Sequence, residues 1–422
     1  MRIEIICTGD EVLTGKIVNT NFGYITQKLE DAGLSAVWGT TVGDDRETLL
    51  AAFRLASERA DVVIVNGGLG PTVDDLSQAI AAQAAGVELV LNEGWLARME
   101  SFFTRRGRAM PPNNTKQAML PAGAELLDNP IGTACGWAME IGSAWFFFTP
   151  GVPRELRRML EEQIIPRLLA RNGTRTTIRL KRYHGYGLGE SHVDALLAGL
   201  ERLDPEGGVK LGFRAHYPQI ETKLTIRGSS PEDVARHLAL VDGELRQRLG
   251  NFIVAEDDQT LEGVVLACLR AQGATLALVE SFTGGQIATR LLPQEDAEAI
   301  VLRATASRDP AQLLAAVGLP AQYVEDYSEP LAIDIARAAR AAAGASHALA
   351  VLIHLDEGAD RMELGGTIWV AIATRTGTVV RRARILGGRE WIRLGAVELG
   401  LDCLRRHLQG LPVDERISFE RH

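Results

Sequence analysis

The sequence contains few cysteines, few aromatic residues and no long apolar run. Its four cysteines, among 422 residues, form no CxxC or histidine-coupled pattern and lie far apart, at Cys7, Cys135, Cys268 and Cys403. This spacing argues against a disulfide framework and against a structural zinc site, and it is typical of proteins in a reducing cytosol.

Two further absences limit the class of protein. No stretch approaches the roughly 18 consecutive apolar residues of a membrane helix, and the opening MRIEIICTGDE is too short an apolar run for a secretory signal. The net charge of −9 argues against nucleic acid as the main partner. We therefore expect a soluble cytoplasmic protein that binds neither membranes nor nucleic acid.

The length and the hydrophobic pattern indicate several domains. A chain of 422 residues exceeds the size at which one hydrophobic core keeps growing. Residues 1–170 alternate β-branched runs with amphipathic helical segments, which predicts an α/β domain with a parallel sheet. Residues 171–255 indicate a small α+β domain, 256–412 a third domain of α/β type, and 413–422 a tail.

Glycine-rich and acidic loops follow three predicted strands of the first domain. The loop NGGLGPTVDD contains Gly67, Gly68 and Gly70, whose backbone freedom allows N–H groups to face a phosphate. An alternative is a simple strand-ending turn in which Thr72 or an aspartate caps the next helix. Ligand sites in α/β sheets lie beyond the carboxyl ends of the strands, where these loops are expected.

The acidic residues of these loops indicate a cation. Three acidic groups fall at predicted strand ends on the same edge of the sheet: Asp10 with Glu11, Asp44 with its neighbour, and Asp75. Carboxylates gathered beside a phosphate repel it unless a divalent cation intervenes, and magnesium-type ions bind carboxylate and phosphate oxygens together.

Ordered motifs carry a resemblance to a known family. Five ordered motifs resemble the amino-terminal domain of CinA-family proteins: TGDEVLTGKIVNTN, TVGDD, NGGLGPTVDDLS, NNTKQAMLPAGAELLDNPIGTACGWAM and FTPGVPREL. The resemblance implies a three-layer α/β domain of the molybdopterin-binding type. YGLGES and LGFRAHYPQIETKLTIRG resemble the small α+β KH-like domain of that family, and the last third resembles its α/β deamidase domain.

For the first domain, the resemblance implies a metal-dependent pyrophosphatase that cleaves ADP-ribose, or a related nucleoside diphosphate sugar, to AMP and a sugar phosphate. Asp44 and Asp75 would then hold the cation (magnesium, manganese or cobalt), and Asp10 and Glu11 would compete for metal binding or water activation. The residues expected to contact this small nucleotide substrate are Asn19, Asn21, Gly67, Gly68, Gly70, Thr72, Asn114 and Lys116.

For the third domain, the resemblance implies a nicotinamide mononucleotide deamidase whose motif is altered here. VESFTGG keeps Ser281 and Thr283, but Phe282 stands where the family has cysteine. The following segment, ATASRDPAQLLAAVGLP, lacks the tyrosine and lysine of the family, and its proline is expected to disturb the backbone. Asp356 and Glu357 would repel a phosphate.

We therefore expect a degenerate deamidase site retaining Ser281, Thr283 and Arg389, with Ser281 acting as a helix cap. The family also suggests a homodimer. Two other functions remain open at this point: a molybdopterin-binding or adenylyl-transfer protein, and a non-catalytic nucleotide-sensing or assembly protein.

Overall fold

A computed structural model describes residues 1–172, 177–320, 327–356 and 365–420. The chain groups into two compact units, Met1–Ile178 and Arg179–His422. The second unit contains both the sheet of the middle segment and that of the last third.

The first unit contains eight strands among its described residues. They are β1 Ile3–Thr8, β2 Ala36–Val42, β3 Val62–Asn66, β4 Leu89–Leu91, β5 Met119–Pro121, β6 Glu125–Leu127, β7 Gly136–Ile141 and β8 Ala144–Thr149. Its helices are α1 Asp10–Leu13, α2 Thr20–Asp31, α3 Arg46–Arg59, α4 Ser77–Ala85, α5 Glu93–Thr104, α6 Pro153–Met159 and α7 Ile165–Asn172. A 3-10 helix covers Pro112–Ala118, and a π-helical turn, Leu160–Ile164, lies between α6 and α7.

Six of these strands form one mixed sheet in the order β2-β1-β3-β8-β7-β6. Strands β1, β2, β3 and β8 are parallel, while β7 and β6 are antiparallel to their neighbours. The short strands β4 and β5 pair separately.

The sheet is covered on both faces, because its central strands β1 and β3 are mostly apolar and are buried at every position. Ile6 and Val65 belong to a core with Phe53 of α3, whereas Ile5 and Ile64 belong to the opposite core with Leu29 of α2. Alternate residues of a strand point to opposite faces, so a continuous apolar run requires two helical layers. The three-layer α/β prediction is confirmed.

The middle segment forms a four-stranded sheet in the order β10-β11-β9-β12. Its strands are β9 Thr177–Tyr186, β10 Val209–His216, β11 Gln219–Gly228 and β12 Ile253–Glu256, and its helices are α8 Glu190–Leu196 and α9 Pro231–Leu249. Short 3-10 helices cover Leu200–Leu203 and Gly250–Phe252. The Ser230 side chain caps α9 by accepting a hydrogen bond from the Asp233 N–H, and proline follows at the first helical position.

The last third contains a five-stranded sheet in the order β14-β13-β15-β16-β17. Its strands are β13 Leu276–Glu280, β14 Val301–Ala306, β15 His347–Leu355, β16 Gly365–Ala373 and β17 Thr378–Leu386. Its helices are α10 Leu261–Ala271, α11 Gln286–Leu291, α12 Ala297–Ile300, α13 Pro310–Ala316, α14 Glu329–Ala343 and α15 Arg389–Gln409. Strand β13 is parallel to β14 and β15, and the remaining pairs are antiparallel.

This sheet is also buried on both faces. Leu278 and Val351 pack toward α10 and α15, while Val279 and Ala350 pack toward α13 and α14. Pro310 does not disturb the backbone as expected. It is the first residue of α13, where a missing N–H costs nothing, and the Asp309 side chain caps this helix.

The segment after α15 packs against the rest of the second unit. Val413 and Ile417 are buried, Arg381 forms an ion pair with Glu420 at 2.6 Å, and Ile385 forms a bridge with Glu420. Residues 421–422 of the expected tail lie outside the described residues. Within the described parts of the chain, no helix is both long and apolar enough to cross a bilayer.

Candidate functional site

One cavity of about 470 Å³ lies at the carboxyl-terminal edge of the first sheet. Because β1, β2 and β3 are parallel, the loops that follow them emerge at this edge. Of the residues expected at the site, seven line the cavity: Glu11, Asp44, Gly67, Gly68, Gly70, Thr72 and Asp75. Three others bond to the loops around it: Asp10, Asn21 and Lys116. Asn114 bonds to Gln117, which lines the cavity, and Asn19 bonds within the first turn of α2.

The glycine loop is tightly packed against its surroundings. Gly67 and Gly68 have φ values of 114° and 68°, in the region that favours glycine. A Cβ at Gly67 would lie 2.6 Å from the Thr8 Oγ1, and one at Gly68 would lie 2.3 Å from the Ser77 Oγ. Both glycines are therefore required by the loop's own packing as well as by any ligand.

Asp10 and Asp44 are held together by reciprocal hydrogen bonds. The Asp10 N–H donates to Asp44 Oδ2 and the Asp44 N–H donates to Asp10 Oδ1, each at 3.1 Å. Burial raises the pKa of Asp44, and the charges of Asp10, Glu11 and Asp74 raise it further. The edge thus concentrates negative charge that a cation would neutralise.

Asp75 is folded back onto its own loop. Its Oδ2 accepts a hydrogen bond from the Thr72 N–H at 2.8 Å and a second from the Thr72 hydroxyl. The Lys116 Nζ in turn donates to the Thr72 carbonyl oxygen. The Thr72 hydroxyl and the charge of Lys116 lower the pKa of Asp74.

The expected asparagines make structural contacts around the cavity. Asn19 caps α2 by accepting from the Phe22 N–H at 3.0 Å. Asn21 donates to the Asn66 Oδ1 at 2.9 Å and to the Gly151 carbonyl at 2.8 Å, which ties α2 to two sheet-edge loops. Asn114 donates to the Gln117 side chain.

The sequence did not indicate Thr8, which also lines the cavity. Its hydroxyl is buried and has no hydrogen-bond partner among the described residues. A buried polar group without a partner is uncommon in proteins and marks a place where a ligand or water completes the hydrogen bonding. Its position as the last residue of β1 was the available signal.

Among the described residues, one group of three side chains has the spacing of metal ligands, and it lies in the middle domain. The ligand atoms of Glu206, Asp233 and His237 lie within 4.8 Å of one another. Arg236 already bridges the two carboxylates, at 2.7 and 2.6 Å. The guanidinium supplies the positive charge that this cluster requires.

The second candidate site surrounds Ser281, in the turn between β13 and α11. The Glu280 carboxylate is buried and accepts hydrogen bonds from the Thr283 hydroxyl at 2.6 Å and from the N–H groups of Ile287 and Ala288 at 3.0 Å each. Glu280, and not Ser281 as expected, therefore caps α11. Phe282 has a φ of 63°, which is an unfavourable backbone conformation for a bulky residue. Strained conformations of this kind are concentrated at functional sites.

Ser281 is only 2% exposed, and its hydroxyl oxygen faces β15. The Ser281 Oγ accepts a hydrogen bond from the Ile353 N–H at 2.7 Å. Burial raises the pKa of Tyr327, whose hydroxyl is buried without a hydrogen-bond partner among the described residues.

The other residues expected near this site have definite positions. The Asp356 carboxylate is paired with Arg384 at 2.7 Å and accepts the Gly365 N–H at 3.0 Å, so its charge is balanced. Arg389 is the first residue of α15. Glu357 lies outside the described residues.

Three family models match successive parts of the chain. They are a probable molybdopterin binding domain over residues 4–170, the damage-inducible protein CinA KH domain over 181–255, and the CinA C-terminal domain over 258–408. A crystal structure of the protein CinA from Thermoplasma acidophilum is 34% identical, covers 38% of this chain and 95% of that chain, and has a TM-score of 0.36.

Curated relatives match along nearly the whole chain. A CinA-like protein of Shewanella sediminis is 38% identical over 98% of this chain and 97% of its own. The protein of Shewanella oneidensis called nicotinamide-nucleotide amidohydrolase PncC is 37% identical over 97% of this chain and 96% of its own.

These findings contradict the predicted ADP-ribose pyrophosphatase, and they also contradict the expectation that amidohydrolase activity is unlikely. The activity in a relative's name is that of an amidohydrolase, and that relative matches the carboxyl-terminal domain as well as the first. The prediction gave too much weight to intact carboxylates in one domain and to individual substitutions, such as Phe282, in the other.

The alternatives, a molybdopterin or adenylyl-transfer protein and a non-catalytic sensing protein, gain no support from these relatives. Because a CinA-like protein is 38% identical over 98% of this chain, and because all three domain models match in order, the chain belongs to the CinA-like protein family.

Proposed function

We propose that this protein is an amidohydrolase that removes the amide of a nicotinamide nucleotide, and that Ser281 is its nucleophile. The observation that carries the proposal is the construction of the loop after β13. A serine oxygen accepts a hydrogen bond from a backbone N–H, in a strained turn stabilised by a buried glutamate. The name of the 37% identical relative supplies the substrate class.

The reaction requires a nucleophile in a fixed position. Attack of a serine oxygen on the amide carbon expels ammonia and leaves an acyl-enzyme, which water then hydrolyses to the carboxylate. Glu280 fixes the turn through three hydrogen bonds, and the Ile353 N–H fixes the serine oxygen. This preorganisation reduces the entropy lost on reaching the transition state.

A positive charge next to the loop suits the phosphate of the substrate. The Arg308 guanidinium lies over the Phe282 ring at 4.9 Å from its centroid. Arg308 is exposed and belongs to the segment in which the sequence lacks the expected lysine. We propose that it binds the nucleotide phosphate, so that Arg308→Met raises KM with little change in kcat.

The test is a direct assay of the full chain. Purified protein is incubated with nicotinamide mononucleotide, and the ammonia and the deamidated nucleotide are measured. We expect turnover in the unmodified protein and a loss of at least about 100-fold in Ser281→Ala. Ser101→Ala, on the exposed surface of α5, is the matched control and should retain full activity. Absence of turnover in the unmodified protein would contradict the proposal.

For the first domain we propose binding of a phosphate-bearing small molecule together with a divalent cation. The unpartnered Thr8 hydroxyl and the charge density at Asp44 support this proposal. Asp44 and Asp75, which both line the cavity, are the residues proposed to hold the cation. A bound cation would neutralise the carboxylates and attract the anion. Calorimetric titration with manganese and magnesium, with Asp44→Asn for comparison, tests the cation site.

A further inference from the structure

Helix α11, which follows the Ser281 turn, is too short to hold its own position. It spans six residues, Gln286–Leu291. Isolated helices shorter than about 12 residues are marginally stable in water, so contacts with other elements must fix a helix of this length. Its beginning is fixed by the Glu280 carboxylate, which accepts the N–H groups of Ile287 and Ala288 at 3.0 Å each. The position of the turn therefore also depends on what fixes the other end of α11.

Arg290 fixes that other end. It lies in the last turn of α11, and its guanidinium donates to the carboxylate of Glu398 on α15 at 2.6 Å and to that of Glu262 on α10 at 2.8 Å. Glu398 is only 2% exposed, so salt and water screen its ion pair much less than a surface pair. One guanidinium thus joins α11 to both neighbouring helices.

The other oxygen of the Glu398 carboxylate is bound by the middle domain. The side-chain amide of Gln219, the first residue of β11, donates to Glu398 Oε1, while Arg290 donates to Oε2. A buried carboxylate loses free energy when one of its hydrogen-bond donors is removed. The middle domain therefore completes the hydrogen bonding of the carboxylate that holds α11.

The tip of the β10–β11 hairpin is itself packed on α15. The Tyr217 ring stacks on the Trp391 ring, with centroids 3.3 Å apart, and the Tyr217 hydroxyl donates to the Trp391 carbonyl oxygen at 3.0 Å. Gly395 lies one turn further along α15, and a Cβ at this position would be 2.6 Å from the Tyr217 Oη. These contacts fix Gln219, two residues after Tyr217, against Glu398.

We propose that the middle domain positions the Ser281 turn through a chain of three side chains. Gln219 orients Glu398, Glu398 holds Arg290, and Arg290 anchors α11. The inference rests on the proposed amidohydrolase function, and it gives the KH-like domain a part in that reaction. Because the three residues act through α11, they are positioning residues, and their loss should affect the chemical step more than substrate binding.

The first test is Gln219→Met in the full chain, with nicotinamide mononucleotide as substrate, at a temperature well below Tm. The substitution removes the amide donor and keeps the length of the side chain. We expect kcat to fall about tenfold and KM to stay within about twofold, because a small displacement of a nucleophile slows the reaction. Tm should fall by no more than about 4 °C, which corresponds to the loss of one hydrogen bond. A purely structural glutamine would lower Tm and leave kcat unchanged.

Hydrogen exchange gives a second measurement, which does not depend on turnover. The amides of Ile287 and Ala288 donate to Glu280 and report whether α11 is held in place. In Gln219→Met we expect these amides to exchange at least about threefold faster than in the unmodified protein. Arg290→Lys keeps the charge but not the fork that reaches two carboxylates, and it should show a larger effect on both kcat and exchange.

Gln259→Met is the matched control. Gln259 is exposed in the turn between β12 and α10, so the same substitution there should leave kcat, Tm and exchange unchanged. Circular dichroism of each variant confirms that it is folded.

The outcomes separate the two proposals. If the unmodified protein is inactive, the proposed function fails and the inference fails with it. If the unmodified protein is active and Ser281→Ala is not, but Gln219→Met matches the unmodified protein in kcat and exchange, the inference alone is overturned. A fall in kcat without faster exchange would also overturn it, because the effect would then not pass through α11.

Discussion

The Ser281 Oγ accepts a hydrogen bond from the Ile353 N–H over 2.7 Å, which joins the turn after β13 to the neighbouring strand β15. This contact places the serine oxygen at the edge of a buried parallel pair, where its position depends on the sheet. The turn itself depends on Glu280, so the site divides into the proposed nucleophile and a support for it.

Replacing Glu280 with glutamine tests that support. The carboxylate is buried and accepts three hydrogen bonds, whereas a glutamine amide has one acceptor oxygen and would leave at least one buried donor unpaired. We expect a loss of about 1–3 kcal/mol in the free energy of unfolding, measured in urea. Amidohydrolase activity should fall as well. Glu298→Gln, at an exposed position, is the control, and equal stabilities for the two variants would argue against the role of Glu280.

Replacing Asp44 with asparagine tests the cation site of the first domain. The pKa of Asp44 is raised in the folded protein by burial and by its acidic neighbours, so the folded state binds the proton more tightly than the unfolded state. Stability from this group is present below the unfolded pKa and is lost as pH rises through the folded pKa. Asp44→Asn should therefore raise Tm at neutral pH without metal.

Added manganese should reverse the order of the two Tm values, so that the unmodified protein melts at a higher temperature than Asp44→Asn. The ion stabilises the unmodified protein by binding its folded state, and Asp44→Asn lacks one proposed ligand. Thermal melts with and without manganese measure both effects. A metal-dependent rise in Tm of the same size in both proteins would show that Asp44 does not hold the cation.

The ion pairs of Glu256 predict a pH dependence in the middle domain. Arg246 and Lys181 hold the pKa of Glu256 at about 2, below its ordinary value of 4.5. Because the folded pKa is depressed, the contribution to stability is present above about pH 4.5 and is lost as pH falls toward 2. Glu256→Gln should be less stable than the unmodified protein at pH 7, with a difference that shrinks across this window. Urea unfolding at several pH values measures it, and a constant difference would refute the assignment.

A buried charge cluster on α15 predicts that a single conservative substitution, Asp402→Asn, lowers the free energy of unfolding by a large amount. Asp402 is fully buried and pairs with Arg405 and Arg406, each at 2.7 Å. Removing the carboxylate charge leaves two buried guanidinium groups undercompensated, so Asp402→Asn should cost about 3 kcal/mol in the free energy of unfolding. Glu390→Gln, which breaks an exposed pair with Arg393 on the same helix, should cost no more than about 1 kcal/mol. Similar losses for both variants would contradict this account.

Local sequence patterns predicted much of the fold. The apolar spacing over residues 231–249 predicts a helix, and α9 covers this range with Ser230 as its cap. The apolar run SAWFFFTPG predicts a strand, and it contains β8. These predictions succeed because apolar periodicity, caps and proline positions act within a few residues. The same reasoning was wrong at Pro310. Proline disrupts the interior of a helix, but it is well suited to the first helical position, which Pro310 occupies in α13.

The sites were harder to predict. Parallel strand order follows from the βαβ pattern, so the meeting of Asp10 and Asp44 at one edge was expected. The folding of Asp75 onto Thr72 and the unpartnered hydroxyl of Thr8 were not, because side-chain direction within a loop depends on neighbours from other segments.

The sequence alone determined the order of elements, the three-layer character of the first domain and the family, because hydrophobic periodicity and ordered motifs are local properties of the chain. Only the tertiary structure decided which groups surround Ser281. Ile353 comes from a segment distant in sequence, and its N–H meets the Ser281 oxygen because the sheet order places β15 beside β13. Packing between elements has no signature within any one of them, so the surroundings of the serine required the fold.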